Sequence, residues 1–258
     1  MASPVSIPWV AYLTLMQNFW MVKLGWYGPA AMAITWSLAV EERFYLTIPV
    51  LIRKLGRAPL IVALLCIVAC APTLRLILRY FLAHGDFACY VLMPCRADAL
   101  CLGVLCALLV RDPAGWRFLV GKRSLLYCAT GTLFVGIAYM TYRGYEQFSF
   151  PMTIYGYSCL AFSYAGCLLI AVSSPAGPWQ KLFCTRGLRS LGSVAYCTYL
   201  LHFPLINFGR RLLAPYHSAA ISYLLGGLIG VAASLMIAAL SWKVLEKPMI
   251  RRGHKYSY

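Results

Sequence analysis

Long runs of apolar residues, separated by short polar segments, fill most of the chain. A helix needs about 20 mostly apolar residues to cross a bilayer. The pattern predicts seven spanning helices, at residues 30–52, 60–83, 89–110, 125–142, 152–172, 191–213 and 219–243. An eighth stretch, 7–22, is short and carries Gln17 and Asn18, which suits a tilted or truncated span or a segment lying at the interface. We therefore predict an all-α, polytopic transmembrane helix bundle.

Composition supports a membrane protein over a soluble one. Of 258 residues, 62% are hydrophobic and 12% are charged, whereas a soluble domain carries about 25% charged residues. So few charges cannot cover a water-facing surface, and lipid is the predicted solvent. No linker is long enough to divide the chain, so residues 1–258 are predicted to form a single membrane-embedded domain.

The net charge of +16 is spread over short loops and forms no continuous basic face. This distribution argues against nucleic acid as a partner and is typical of the positive-inside rule. Residues 53–57, 111–123, 181–189 and 243–255 hold 15 of the 23 Lys and Arg residues, and the opposite loops hold four. The split predicts a cytoplasmic C-terminus.

Eleven cysteines lie mostly within the apolar runs, and the sequence contains no CxxC pair. Zinc and thioredoxin-like sites are therefore not predicted, and buried free thiols are the simpler interpretation. GxSxG, HExxH, Walker and GxGxxG motifs are also absent. No metal site and no bound cofactor are expected, and nothing in the sequence predicts an oligomeric state.

Charged residues inside predicted spans are the main candidates for function, because each is costly in hydrocarbon. Glu41 recurs with Ser37 and Tyr45 at a spacing of four, which places the three side chains on one helix face. Such a polar stripe on an apolar helix predicts a cavity wall. We expect Glu41 to pair with a basic residue of the second or third span.

The second and third spans carry further charges, at Arg75, Arg79, Arg96 and Asp98. Two arginines one turn apart can bind a phosphate or carboxylate by charge-assisted hydrogen bonds. The alternative is a structural ion-pair network among Glu41, Arg75, Arg79 and Asp98, and the two interpretations are compatible.

His202 lies on the sixth predicted span, near Tyr196 and Tyr199 and just before Pro204. A histidine here can transfer protons, although a hydrogen-bonded packing residue is the more common case. Pro204 cannot donate a backbone hydrogen bond, so a kink is expected.

Five segments together resemble the bacterial acyltransferase family 3. They carry its motifs in the family's order: Gln17-Asn18-Phe19-Trp20, Trp36-Ser37-Leu38 through Phe44-Tyr45, Arg96-Ala97-Asp98-Ala99-Leu100 with Gly103, Leu191-Gly192 through His202-Phe203-Pro204, and Leu245-Glu246-Lys247-Pro248.

The resemblance implies a multi-pass enzyme of the bacterial cytoplasmic (inner) membrane. Such an enzyme moves an acyl group, often acetyl, from acyl-coenzyme A to a hydroxyl of a carbohydrate or other cell-envelope acceptor. Substrate contacts are expected from Trp36, Ser37, Tyr45, Arg75, Arg79, Arg96 and Asp98, and the candidate catalytic residues are Glu41 and His202.

The chain also departs from the family pattern. Family members begin with two further spans, and a histidine in the first is taken as the catalytic base. That histidine has no counterpart here, and His202 is not its equivalent, so the chain is expected to lack the first two helices. Two alternatives therefore stay open: a catalytically inactive truncated relative, and a transporter or lipid-handling membrane protein.

Overall fold

The computed structural model describes residues 6–173, 177–215 and 218–253, and all regular secondary structure in these ranges is helical. The α-helices are α1 (Trp9–Leu13), α2 (Gln17–Leu24), α3 (Thr35–Lys54), α4 (Arg57–Phe81), α5 (Gly85–Val91), α6 (Met93–Arg111), α7 (Pro113–Gly121), α8 (Arg123–Tyr142), α9 (Tyr157–Ser173), α10 (Pro178–Phe183), α11 (Arg186–Leu213), α12 (Ala219–Ser241) and α13 (Lys247–Gly253). Two π-helical segments, Met152–Gly156 and Trp242–Glu246, lead into α9 and α13.

Five helical stretches are long and apolar enough to cross a membrane, which confirms an all-helical, multi-pass membrane protein. They are Arg57–Phe81, Gly85–Arg111, Arg123–Tyr142, Met152–Ser173 and Ala220–Gly253. The predicted count of seven is not confirmed. The helices α3 and α11 are 20 and 28 residues long, but their charged and polar residues make them less apolar than the other five.

The N-terminal stretch 7–22 does not form one span. It divides into α1 and α2, of five and eight residues, and Leu15 between them has a positive φ of 58°. At 1.5 Å per residue, even α2 is only about 12 Å long. A continuous truncated span is therefore wrong for this segment.

The predicted span 89–110 begins earlier, at Gly85, and is interrupted at Leu92. Leu92 is extended, with φ −81° and ψ 135°, and α6 restarts with Pro94 in its first turn. Proline is tolerated there because the first helical N–H groups have no intrahelical acceptor. The interruption lies close to the cluster of charges described below.

The described residues up to Gly28, together with Trp36–Gln180, pack as one compact unit. Its main apolar core joins α3, α4, α6 and α9, and its fully or nearly fully buried members include Phe44, Leu64, Cys101 and Ala161. This core fixes the helices that carry most of the charges predicted to be functional.

A second unit comprises Pro29–Thr35 and the residues from Lys181 onward. Within it, α11 and α12 approach each other through glycines. A Cβ on Gly226 would lie 2.6 Å from the backbone nitrogen of Arg210, and one on Gly230 would lie 2.5 Å from the Cα of Ile206. Gly226 and Gly230, four residues apart on α12, therefore lie on a packing face, as small residues at this spacing commonly do in membrane helices.

Candidate functional site

Arg75 and Asp98 form an ion pair inside the first unit, between α4 and α6. The Arg75 Nη2 lies 3.1 Å from the Asp98 Oδ2, and both side chains are almost completely inaccessible to solvent. Ser158 on α9 donates a hydrogen bond to the same Oδ2 at 2.7 Å and accepts one from Arg75. The Arg75 Nη1 donates to the carbonyl oxygen of Cys95 at 3.1 Å. We call Arg75, Asp98 and Ser158 the buried triad.

The buried triad contains one pair of the predicted ion-pair network, Arg75 with Asp98. A charge buried without a partner costs several kcal/mol, so Arg75 and Asp98 each require the other. Both terminal nitrogens of Arg75 therefore donate to protein acceptors. The position of Ser158 carries no distinguishing signal in the sequence, because a hydroxyl in a transmembrane helix usually bonds to its own backbone.

Arg79 lies one turn after Arg75, and its hydrogen bonds go to a different part of the unit. Its Nη1 donates to the carbonyl oxygen of Phe148 at 2.9 Å and to the Thr153 hydroxyl at 3.2 Å, and its guanidinium lies 5.7 Å from the Phe150 ring centre. Arg79 thus holds the segment before α9. The two arginines bind separate protein groups.

Arg96 differs from Arg75, Arg79 and Asp98, the other residues of α4 and α6 predicted to be functional. It is half-buried, and its guanidinium carbon lies 4.8 Å from the ring centre of Tyr157 and 5.7 Å from that of Tyr90. Within the described ranges it forms no ion pair and no hydrogen bond. Cation–π contacts of this kind stabilise the charge and leave the N–H donors for a ligand.

Aromatic side chains surround Arg96. The ring of Tyr90 lies 4.6 Å from that of Trp36 and 5.9 Å from that of Tyr157. Trp36 is held through its backbone, because its carbonyl oxygen accepts a hydrogen bond of 2.9 Å from the amide of Asn18. That buried amide also donates to the carbonyl oxygen of Val91 at 2.8 Å. The structure therefore brings Trp36 and Arg96 together across Tyr90.

The Ser37, Glu41 and Tyr45 stripe lies on a different face of α3 from the core. The core face of α3 is formed by Ala39, Val40, Phe44 and Ile48. Glu41 is half-buried and Tyr45 is 56% exposed. The expected ion pair of Glu41 with α4 or α6 is not formed among the described residues, since Arg75 pairs with Asp98 instead. The Glu41 carboxylate is thus open to a ligand.

His202 belongs to the second unit and is described within it alone. Its Nδ1 lies 2.6 Å from the carbonyl oxygen of Tyr199, one turn back on α11. A carbonyl oxygen only accepts hydrogen bonds, so the Nδ1 carries the proton and the Nε2 is the basic nitrogen of the neutral ring. The helix continues through Pro204 to Leu213 without interruption.

Metal ligands are not grouped in the parts of the chain described here: no set of three or more His, Cys, Asp or Glu side chains lies close enough to hold an ion. Of the residues predicted to be functional, the structure brings together Arg75 and Asp98 in the buried triad and, beside it, Arg96 with its aromatic neighbours.

Comparison with known proteins adds independent information. Residues 3–243 match the model of the family described as "Acyltransferase domain". The chain is 24% identical to the peptidoglycan O-acetyltransferase OatA of Listeria monocytogenes over 257 residues, covering 95% of this chain and 40% of that protein. It is 26% identical over 262 residues to the putative peptidoglycan O-acetyltransferase YrhL of Bacillus subtilis, with the same two coverages.

A third relative, the O-acetyltransferase OatA of Staphylococcus aureus, is 22% identical over 259 residues, covering 95% of this chain and 41% of that protein. The chain therefore spans about two-fifths of the length of the curated relatives it matches. No solved structure matches the chain.

Proposed function

Because this chain belongs to acyltransferase family 3, whose domain model covers residues 3–243, we propose that it is a membrane-bound O-acyltransferase. In the proposed reaction an acyl group, often acetyl, passes from acyl-coenzyme A to a hydroxyl of a carbohydrate or other cell-envelope acceptor. The thioester C–S bond breaks, an ester C–O bond forms, a base takes the hydroxyl proton, and coenzyme A leaves as the thiol. The names of the relatives, which specify O-acetylation of peptidoglycan, favour a glycan acceptor.

The main support for a substrate site is that Arg96 has no ion-pair or hydrogen-bond partner among the described residues. A cation within a membrane protein is expensive, and the protein gives Arg75 a counter-charge in Asp98 while Arg96 has only aromatic neighbours among the described residues. An anionic group of a substrate would complete its hydrogen bonding. In this proposal Arg96 contacts substrate and Trp36 lines the same site, while Arg75 and Asp98 position α4 and α6 around it.

Acyl transfer to a hydroxyl needs a general base, and the chain offers two candidates. Glu41 has a carboxylate without an ion-pair partner in the described residues, and Ser37 and Tyr45 share its face as substrate contacts. His202 has a basic Nε2. Arg79, already bonded to Phe148 and Thr153, is proposed to support the substrate site through the segment before α9.

The proposed location is the bacterial cytoplasmic membrane, with the C-terminus on the cytoplasmic side. The uneven distribution of loop charges supports this orientation, which would place the donor on the basic side. Reporter fusions after Arg57, Lys122 and Arg186 test it. Activity of all three reporters on the periplasmic side would overturn the orientation.

The proposed activity is tested in membrane vesicles that contain the full chain. Vesicles receive acetyl-coenzyme A carrying a labelled acetyl group, together with soluble peptidoglycan fragments, and alkali-labile acetyl ester on the fragments is measured by mass spectrometry. We expect ester that depends on the donor, the acceptor and the protein. No ester above that of vesicles without the protein would contradict the proposal and favour the inactive relative.

A further inference from the structure

A cavity of about 520 Å³ lies among α4, α6, α8 and α9 of the first unit. This size falls within the range of small-molecule sites, about 300–1,000 Å³. Leucines from all four helices form about half of its wall, and its lining includes the charged pair Arg57 and Asp112. The cavity is separate from Arg96 and from the buried triad, none of which lines it.

The length of the cavity matches half a bilayer. Its lining on α4 extends from Arg57 to Leu65, which is about 12 Å along a helix axis, and on α6 from Asp112 back to Leu102, which is about 15 Å. The hydrocarbon region of a bilayer is about 30 Å thick. A single extended acyl chain entering at the charged end would reach the middle of the membrane.

Small residues on α8 and α9 leave this space open. Ala129, Ala165 and Gly166 line the cavity among the larger side chains. A Cβ on Gly166 would lie only 2.3 Å from the Thr130 hydroxyl oxygen, so α8 and α9 touch directly at this point. The cavity wall is therefore fixed by a close helix contact.

The charged end has the donors that an anionic headgroup requires. The Arg57 Nη2 lies 2.9 Å from the Asp112 Oδ1, and the Arg57 side chain is 57% exposed. The other Asp112 oxygen accepts a hydrogen bond of 2.8 Å from the backbone nitrogen of Gly115. Asp112 thus uses both oxygens on the protein, whereas the exposed guanidinium retains further donors.

The surroundings of this end are strongly basic and lie beside an interfacial helix. Residues 53–57 and 111–123 contain seven Lys and Arg residues and one acid, Asp112. Helix α7 buries Leu119 and leaves Phe118 61% exposed. Short helices with an exposed aromatic side chain next to basic residues are typical of the headgroup region. We therefore expect the mouth of the cavity to lie at headgroup depth.

We propose that this cavity binds one acyl chain of an anionic phospholipid from the surrounding bilayer, with the lipid phosphate at Arg57. The apolar wall suits the chain, its length suits one leaflet, and the excess of basic residues at the mouth suits a negative headgroup. The site is independent of the proposed acyl transfer, because it lies on other residues.

Native mass spectrometry of the purified, delipidated full chain tests the proposal. The chain is titrated with palmitoyl-oleoyl phosphatidylglycerol, with the matching phosphatidylcholine, and with dihexanoyl phosphatidylglycerol. We expect the long-chain anionic lipid to bind about fivefold or more tightly than the phosphatidylcholine, and the short-chain lipid to bind at least about tenfold more weakly. Equal affinity for the three lipids would contradict the proposal, because the site would then select neither the headgroup nor the chain.

Variants then assign the site. Ala165→Phe fills the cavity and should weaken the long-chain lipid about tenfold, whereas Val135→Phe, on an α8 face that does not line the cavity, should leave binding unchanged. Arg57→Gln should remove the preference for the anionic headgroup, and Arg57→Lys should keep most of it. Unchanged binding by both Ala165→Phe and Arg57→Gln would refute the assignment. Displacement of the lipid by an equal concentration of palmitoyl-coenzyme A would likewise overturn it, in favour of a chain pocket for the acyl donor.

Discussion

Arg75 and Asp98 lie 23 residues apart in the chain and form a buried ion pair between α4 and α6, with 3.1 Å between the Arg75 Nη2 and the Asp98 Oδ2. Ser158 adds a third helix to the pair, because its hydroxyl bonds both partners. Within the pair, the charge of each residue is balanced by that of the other. Asp98 is therefore not available to Arg96, two residues earlier on α6, which lies beside aromatic rings and is open to a ligand.

We predict that removing one partner of the buried pair destabilises the protein strongly. Asp98→Ala leaves the Arg75 cation buried without a counter-charge, which typically costs about 3–5 kcal/mol. The double variant Arg75→Met with Asp98→Leu should recover much of that loss, because it buries no charge. Unfolding in mixed detergent micelles measures both. An Asp98→Ala protein as stable as the wild type would show that the pair contributes nothing to folding.

Helix packing in the second unit gives a sharper comparison between two neighbouring glycines. A Cβ on Gly226 would lie 2.6 Å from the backbone nitrogen of Arg210. The nearest atom to a Cβ on Gly227 is a terminal nitrogen of the flexible Arg210 side chain, at 3.9 Å. We predict that Gly226→Ala lowers the unfolding temperature, because backbone atoms cannot move aside. Gly227→Ala should leave it unchanged or raise it, since alanine favours helix over glycine.

Thermal unfolding of the two glycine variants, followed by circular dichroism, measures this difference. Equal unfolding temperatures would contradict the close approach of α11 and α12.

Asp112 gives a pH dependence whose sign follows from its contacts. The Gly115 N–H and then the Arg57 guanidinium stabilise the carboxylate, which lowers the pKa of Asp112 below its ordinary value. The ionised form therefore adds stability above the unfolded-state pKa of about 3.9, and this contribution is lost as the pH falls through the lower folded pKa.

We predict that the unfolding temperature of Asp112→Asn is below that of the wild type at pH 7, and that the two converge as the pH falls below about 4. Thermal scans from pH 3 to pH 7 measure the difference. A gap that stays constant over this range would mean that ionisation of Asp112 does not stabilise the fold.

The identity of the general base is tested by two substitutions in the acetyl-transfer assay. If Glu41 accepts the hydroxyl proton, Glu41→Gln should lower kcat by about 10²–10⁴-fold, while His202→Ala keeps most of the activity. The opposite result would assign the base to His202. Binding of the acceptor, measured separately, should survive in the variant that lacks the base, which distinguishes a chemical role from a structural one.

The sequence predicts the positions of the helices better than it predicts which side chains of different helices contact each other. The apolar runs predicted α4, α8, α9 and α12 to within a few residues, because hydropathy and length alone determine such spans. The interruption at Leu92 was missed, because hydropathy over about 20 residues does not show one extended residue, and Pro94 alone marks the restart. The division of 7–22 into α1 and α2 was missed although Gln17 and Asn18 follow the break, because two polar residues alone do not show where a helix ends.

The charges illustrate a different limit. Spacing along one helix shows which residues share a face, so Ser37, Glu41 and Tyr45 were correctly grouped. It does not show which neighbouring helix meets that face. Arg75 therefore had several possible acids, and only the three-dimensional structure shows that Asp98 is its partner and Ser158 its third contact.

Arg96 is the cation proposed to contact substrate, and its substitution in the acetyl-transfer assay tests this role most directly. Loss of a charged hydrogen bond should raise the acceptor or donor KM, or lower kcat/KM, about tenfold or more in Arg96→Gln. Arg96→Lys should recover part of the activity, and Arg143→Gln, in an exposed position after α8, should match the wild type. Wild-type kcat/KM in Arg96→Gln, with an unchanged unfolding temperature, would contradict the account.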